Sequence, residues 1–236
     1  MQDHNREDDL SVPTWSASLL QCIGASGIGI LVGVAMVHAV SPVFAQELFE
    51  PLGLEPTPEQ IVRYKSSLVH FWTRNNAFDF AMLGTTFGFA LGLLTTSWKR
   101  VSSALAGGVL GLVSGASGGY LASRWAVAAF IVSSDQSLFR SIAINTIVWG
   151  GLQGSVAMGI GFVQGHARIR ALGLAGILSS IIASAIFLIL FSVAFPASDL
   201  SYLIRPSILE KTVWACTMAI VLGYGLYSTL KATSKS

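Results

Sequence analysis

Charge is what this chain lacks most. Of its 236 residues, 14 are Lys or Arg and 12 are Asp or Glu, 11% in all. An ordinary soluble domain carries about 25%. So few charges cannot clothe a water-facing surface, and a mean hydropathy of +0.65 says the same. A net charge of +2 with no long basic run excludes a nucleic-acid-binding face. Cysteine is scarce too. Cys22 and Cys216 lie in separate apolar stretches, which excludes a disulfide framework and reads as two buried small apolar residues. His4, His38, His70 and His166 are scattered, with no HExxH and no paired Cys/His spacing, so no metal site and no cofactor are expected.

What is present is apolar length. A helix rises about 1.5 Å per residue, so roughly 20 apolar residues cross a hydrocarbon core of about 30 Å. Six stretches qualify: 19–40, 78–98, 101–123, 141–165, 171–195 and 213–230, with Asp79 the one charge before the Trp98-Lys99-Arg100 break. Backbone groups inside lipid must bond internally, so each reads as a helix. The predicted fold is an all-α integral membrane bundle of six spans. A tail over 1–18 precedes it and another over 231–236 follows it. Trp98-Lys99-Arg100 and the run from His166 to Arg170 are short connections that make antiparallel hairpins, and Pro196 and Pro206 bracket the last loop.

Between the first two spans lies a segment over 41–77. Thr57-Pro58-Glu59-Gln60 spells a helix start, with Thr57 as cap, Pro58 in the first turn and Gln60 closing a capping box. Ile61, Leu68 and Trp72 follow on one face, which predicts a short amphipathic surface helix over 58–74. Val43-Phe44-Ala45 before Gln46 resembles a leader cleavage site. The long, glycine-rich stretch and the acidic Glu7, Asp8 and Asp9 ahead of it favour an uncleaved first span. Lys99, Arg100, Arg168 and Arg170 crowd into short connections, whereas Arg63, Lys65, Arg74, Arg124, Arg140, Arg205 and Lys211 spread over longer ones. Basic density therefore puts both termini in the cytoplasm, the bilayer being the cell (inner) membrane. Trp15 and Trp98 on one side, and Trp72, Trp125 and Trp214 on the other, read as interfacial belts.

Glycine is the second abundance, with 24 residues. In the third span Ser103, Gly107, Gly111, Gly115, Gly119 and Ser123 recur every fourth position, and the second carries Gly84, Gly88 and Gly92. Gly176, Ser180 and Ser184 continue the theme in the fifth. Such spacing strips one helix face of bulk and lets a neighbouring backbone approach. An ungapped shift of 69 residues also lays the hairpin of spans two and three on that of spans four and five. It matches Asn76 with Asn145, Gly92 with Gly161, and Gly107 with Gly176. That pattern reads as a parallel repeat.

Polar positions within the spans carry whatever function there is. Asp79 and Arg124 fall near the same interface and are read either as a pair or as two snorkelling side chains. Gln153 falls mid-span and needs partners, with Thr85, Thr86, Ser114, Ser117, Ser179 and Ser180 at suitable depth. Asn76 and Asn145 sit at matching repeat positions. The leading functional reading is a structural or accessory subunit of a membrane assembly. Its partners would be the bilayer, other membrane proteins or further copies of itself. A small-solute channel or transporter with a polar path near Gln153 is the alternative, and a membrane-embedded enzyme the third.

Overall fold

The computed structural model describes residues 18–45, 56–94, 99–132, 138–164, 169–195 and 207–234. Trp15, Trp98, His166, Arg168, Pro196, Arg205, Pro206, Lys235 and the N-terminal tail up to residue 17 lie outside the described residues. The described residues form six helices and no strand: α1 (Leu19–Val40), α2 (Pro58–Leu93), α3 (Arg100–Val132), α4 (Leu138–Gln164), α5 (Ile169–Ala194) and α6 (Ile208–Ser234). Within α1, α3, α4 and α5 the chain is long and apolar enough to cross a membrane, which makes this an integral membrane protein.

Local chemistry sets where helices begin. The Ser18 hydroxyl accepts from the Gln21 N–H at 3.3 Å while the Gln21 amide oxygen accepts from the Ser18 N–H at 2.8 Å, a reciprocal cap on α1. Thr57 and Gln60 repeat that arrangement at α2, with Pro58 at its first position.

This second helix differs from the sequence expectation in its continuity. The amphipathic segment over 58–74 and the apolar segment from 78 onward are one uninterrupted helix of 36 residues, about 54 Å long at 1.5 Å per residue. The reason is plain in hindsight. Between Pro58 and Gly84 there is no proline or glycine, so nothing breaks the backbone ladder where the hydropathy changes.

Each helix packs against the next in sequence, and α6 packs against α1, so the six close into a ring. Its interior is filled. Phe80 and Phe87 from α2, Trp149 from α4, Phe187 and Phe191 from α5 and Trp214 and Met218 from α6 are fully buried. Trp149 meets Trp214 edge-on with centroids 5.2 Å apart, and Phe80 sits 6.2 Å from Trp149 and 6.3 Å from Trp214. Trp214 is therefore a core residue, only 1% exposed, and not part of an interfacial belt. Cys22 is buried as expected, but Cys216 is exposed on the outside of the ring. Leu105, Val109, Leu112, Leu121, Ile182 and Leu190 point outward, as a lipid-facing surface allows.

The tightest contacts are between α2 and α3. A Cβ added at Gly84 would strike the Gly111 carbonyl, one at Gly88 the Gly107 carbonyl, and one at Gly115 the Phe80 carbonyl. At Gly119 it would lie 2.7 Å from the Asn76 carbonyl oxygen, and at Gly92 it would meet Ser103 and Ala104. The contacts step by four along α2 and back by four along α3, so the helices run antiparallel in one constant register. Elsewhere glycine permits closeness more locally. A Cβ at Gly223 of α6 would sit 2.6 Å from the Ile23 Cα of α1.

Candidate functional site

Two polar constellations lie inside the ring. The first is at mid-length, where Gln153 projects from α4. Its amide nitrogen donates to the Leu222 carbonyl of α6 at 3.3 Å, and its amide oxygen accepts from the Ser180 hydroxyl of α5 at 2.9 Å. One side chain thus ties three helices. Of the residues placed at suitable depth by sequence, Ser180 is the partner. Thr85, Thr86, Ser114 and Ser179 instead donate to carbonyls of their own helices, an ordinary way for a hydroxyl to be satisfied inside a helix. The Leu222 carbonyl has no side chain, so composition could not point to it.

The second constellation is at the end of the ring where α1 stops and α6 starts. Asp79, on α2, is buried, and its carboxylate accepts from the Ser41 hydroxyl at 3.0 Å. Its electrostatic counterpart is Lys211, buried in the first turn of α6. Arg124 is not that partner. It is exposed and donates to the Tyr120 hydroxyl one turn back on α3, so the Asp79–Arg124 pair considered from sequence does not form.

Beside Asp79, Asn75 holds the chain leaving α1. Its amide oxygen accepts from the Phe44 N–H at 3.0 Å, and its amide nitrogen donates to the Phe44 carbonyl and the Phe71 carbonyl, each at 3.0 Å. The Arg74 guanidinium covers the Phe44 ring at 4.4 Å. Sequence reading passed over Asn75 in favour of Asn76, because a clamp on a backbone 31 residues away leaves no periodic trace. Asn76 is buried on α2 facing Gly119, and Asn145 is buried on α4 with its amide donating to the Ser141 carbonyl at 2.9 Å.

Buried polar atoms without a partner occur along the ring, the Ser26, Ser103, Ser123 and Ser184 hydroxyls among them, and others belong to residues of α2, α4 and α6. Asp79 Oδ1, Thr73 Oγ1, Thr146 Oγ1, Trp149 Nε1 and Trp214 Nε1 are buried without a hydrogen-bond partner. Such atoms are uncommon in folded proteins and each asks for a reason. Among the described residues no cluster of three or more His, Cys, Asp or Glu gathers to hold a metal ion. The run Gly115-Ala116-Ser117-Gly118-Gly119 spells the letters of a nucleophile elbow, but it lies within continuous α3. An elbow requires a strand-to-helix turn. No family model, curated protein or solved structure matches the chain.

Proposed function

We propose that the chain is a six-span membrane protein that serves as a structural or accessory subunit of a larger membrane assembly. In this reading α2 and α6 cross the bilayer beside the four more apolar helices, because both are full members of the same closed ring. Both termini are cytoplasmic in the cell (inner) membrane, and the Asp79 end faces outward. The part of α2 ahead of Asn75 then continues beyond the hydrocarbon, since the helix outruns a core of about 30 Å.

The observation that carries this reading is Gln153. A permeation path at mid-depth would leave its amide facing an open lumen. Instead both ends of the amide are bonded to neighbouring helices, and Gln153 is itself only 2% exposed. The glycine contacts between α2 and α3 support a rigid packing module in the same way, since backbones that touch leave no room for sliding.

The repeat reading has support of its own. Under the 69-residue shift, the Gly84–Gly111 contact of one hairpin corresponds to the Gln153–Ser180 hydrogen bond of the other. Likewise the Gly92–Ser103 contact corresponds to that between Gly161 and Leu172. Two hairpins built alike would thus pack in one register, backbone to backbone in the first and through side chains in the second.

Extraction in a mild detergent followed by native mass spectrometry tests the assignment. A partner present at fixed stoichiometry across detergents is the expected result, and a monomer carrying only lipid would overturn it. A second reading, the handling of a small solute, is favoured by the unpartnered polar atoms at the Asp79 end, outside the sealed middle.

A further inference from the structure

Neighbouring helices run antiparallel, so the starts of α1, α3 and α5 and the ends of α2, α4 and α6 share one end of the ring, opposite Asp79. The charges described there are Lys99 and Arg100 where α3 begins, Arg170 in the first turn of α5 and Lys231 in the last turn of α6. Among the described residues no Asp or Glu lies at this end, since Glu59, Asp79 and Glu210 all lie towards the other. Arg100, Arg170 and Lys231 are exposed.

What lies beside two of these cations says which anion they suit. From Arg170, exposed Leu174, Leu178 and Ile182 follow at every fourth residue along α5. On α6, exposed Tyr224 and Ile220 share a helix face with Lys231, two and three turns before it. The Lys231 ammonium lies 5.7 Å from the centroid of the Tyr227 ring, a pairing suited to a membrane interface. Helices α5 and α6 are neighbours, with Ser179 set against Gly225, and that register brings Arg170 level with the last turn of α6. A soluble anion would use the cation and leave the apolar row beside it idle. A lipid uses both, its phosphate on the cation and its acyl chain along the row.

We infer that this end of the ring binds anionic phospholipids, one with its phosphate at Arg170 and its chain along Leu174 and Leu178, another at Lys231 with its chain along Tyr224 and Ile220. Each Lys or Arg near an anionic surface favours it by about fivefold. A choline lipid carries its own cation to the same place and gains less. The N-terminal tail holds Asp3, Glu7, Asp8 and Asp9. Were these to neutralise this end, the preference would vanish, so the full chain is the proper sample. The α5 half needs only a helix long and apolar enough to cross. The α6 half rests on α6 crossing the bilayer, as proposed above.

The test immobilises the full-length protein in mild detergent with equal amounts of phosphatidylglycerol and phosphatidylcholine of the same chains, and quantifies the retained lipids by mass spectrometry. Phosphatidylglycerol is expected to exceed phosphatidylcholine by about threefold or more. Arg170→Gln/Lys231→Gln should at least halve that ratio, while Arg63→Gln/Lys65→Gln, which removes the same charge at the far end, should leave it unchanged. Equal retention by the unaltered protein overturns the site, and so does an equal loss from both double variants. Arg170→Gln alone should lower the ratio even if α6 did not cross, which separates a failure of the six-span reading from a failure of this one. Inorganic phosphate should displace no more lipid than chloride at the same ionic strength; stronger displacement would mark a soluble-anion site and overturn the lipid. If the double variant at Arg170 and Lys231 does not fold, salt decides. In about 1 M sodium chloride the screening length falls to about 3 Å and the ratio should drop towards one, and a ratio that does not move overturns the inference.

Discussion

Gln153 shows how much a single polar residue does in a solvent that offers no competing hydrogen bonds. An amide in an apolar interior without partners costs roughly 1–3 kcal/mol by mutational measure. Here both ends are satisfied, by Ser180 and by the Leu222 carbonyl. Gln153→Ala removes both interhelical bonds, whereas Ser180 keeps its bond to the Gly176 carbonyl at 2.9 Å and is not orphaned. The expected cost is about 1–2 kcal/mol, seen as a lower unfolding midpoint in detergent. A midpoint that does not move would mean that the three-helix tie contributes nothing. The need of Gln153 for partners was legible from its place in an apolar run. Which partners it takes was only half legible, because a hydroxyl can be listed from sequence and a backbone carbonyl on a distant helix cannot.

At the scale of the helix, the glycines divide by what faces them. Gly84 and Gly111 meet each other's backbone, while Gly24 and Gly151 have nothing within 4 Å of an added Cβ. Gly84→Ala or Gly111→Ala must push α2 and α3 apart, losing dispersion contacts along the whole seam, at an expected cost of about 2 kcal/mol or more. Gly24→Ala or Gly151→Ala meets no obstacle and gains helix propensity, a stabilisation of about 0.5–1 kcal/mol. Unfolding midpoints for the four variants should split into two groups of opposite sign, and a uniform response would contradict the close approach. The four-residue spacing was enough to say that α3 has a face without bulk. It did not say that α2 lies on that face in constant register. Nor did it say that the segment over 58–74 and the apolar segment from 78 onward share one helix, because hydropathy changes along α2 while the helix does not.

For the whole molecule the decisive feature is closure of α6 onto α1. A Cβ on Gly27 would lie 3.7 Å from the Ala219 Cβ, inside the range a disulfide spans. With Cys22 and Cys216 replaced by alanine, the Gly27→Cys/Ala219→Cys double variant is expected to form an intramolecular disulfide on mild oxidation. A gel shift reversed by reductant reads it out, and failure to cross-link would open the ring. Side of the membrane is tested separately. Single cysteines at Lys99 and Lys231 should react with an impermeant maleimide from the same side, as six spans require, and reaction from opposite sides would remove one crossing.

The sequence by itself determined the solvent. Twenty-six charges in 236 residues and several uncharged runs of span length leave lipid as the surroundings. Periodicity of hydropathy and glycine is a local property, so the helices and their bulk-free faces could be read along the chain. The tertiary structure decided the rest: the ring order, Trp214 as core, Lys211 and not Arg124 as the charge near Asp79, and the clamp of Asn75 on Phe44. Each joins residues far apart in sequence, through contacts that no local pattern records, because charge and hydrogen-bond partners are chosen by distance in space.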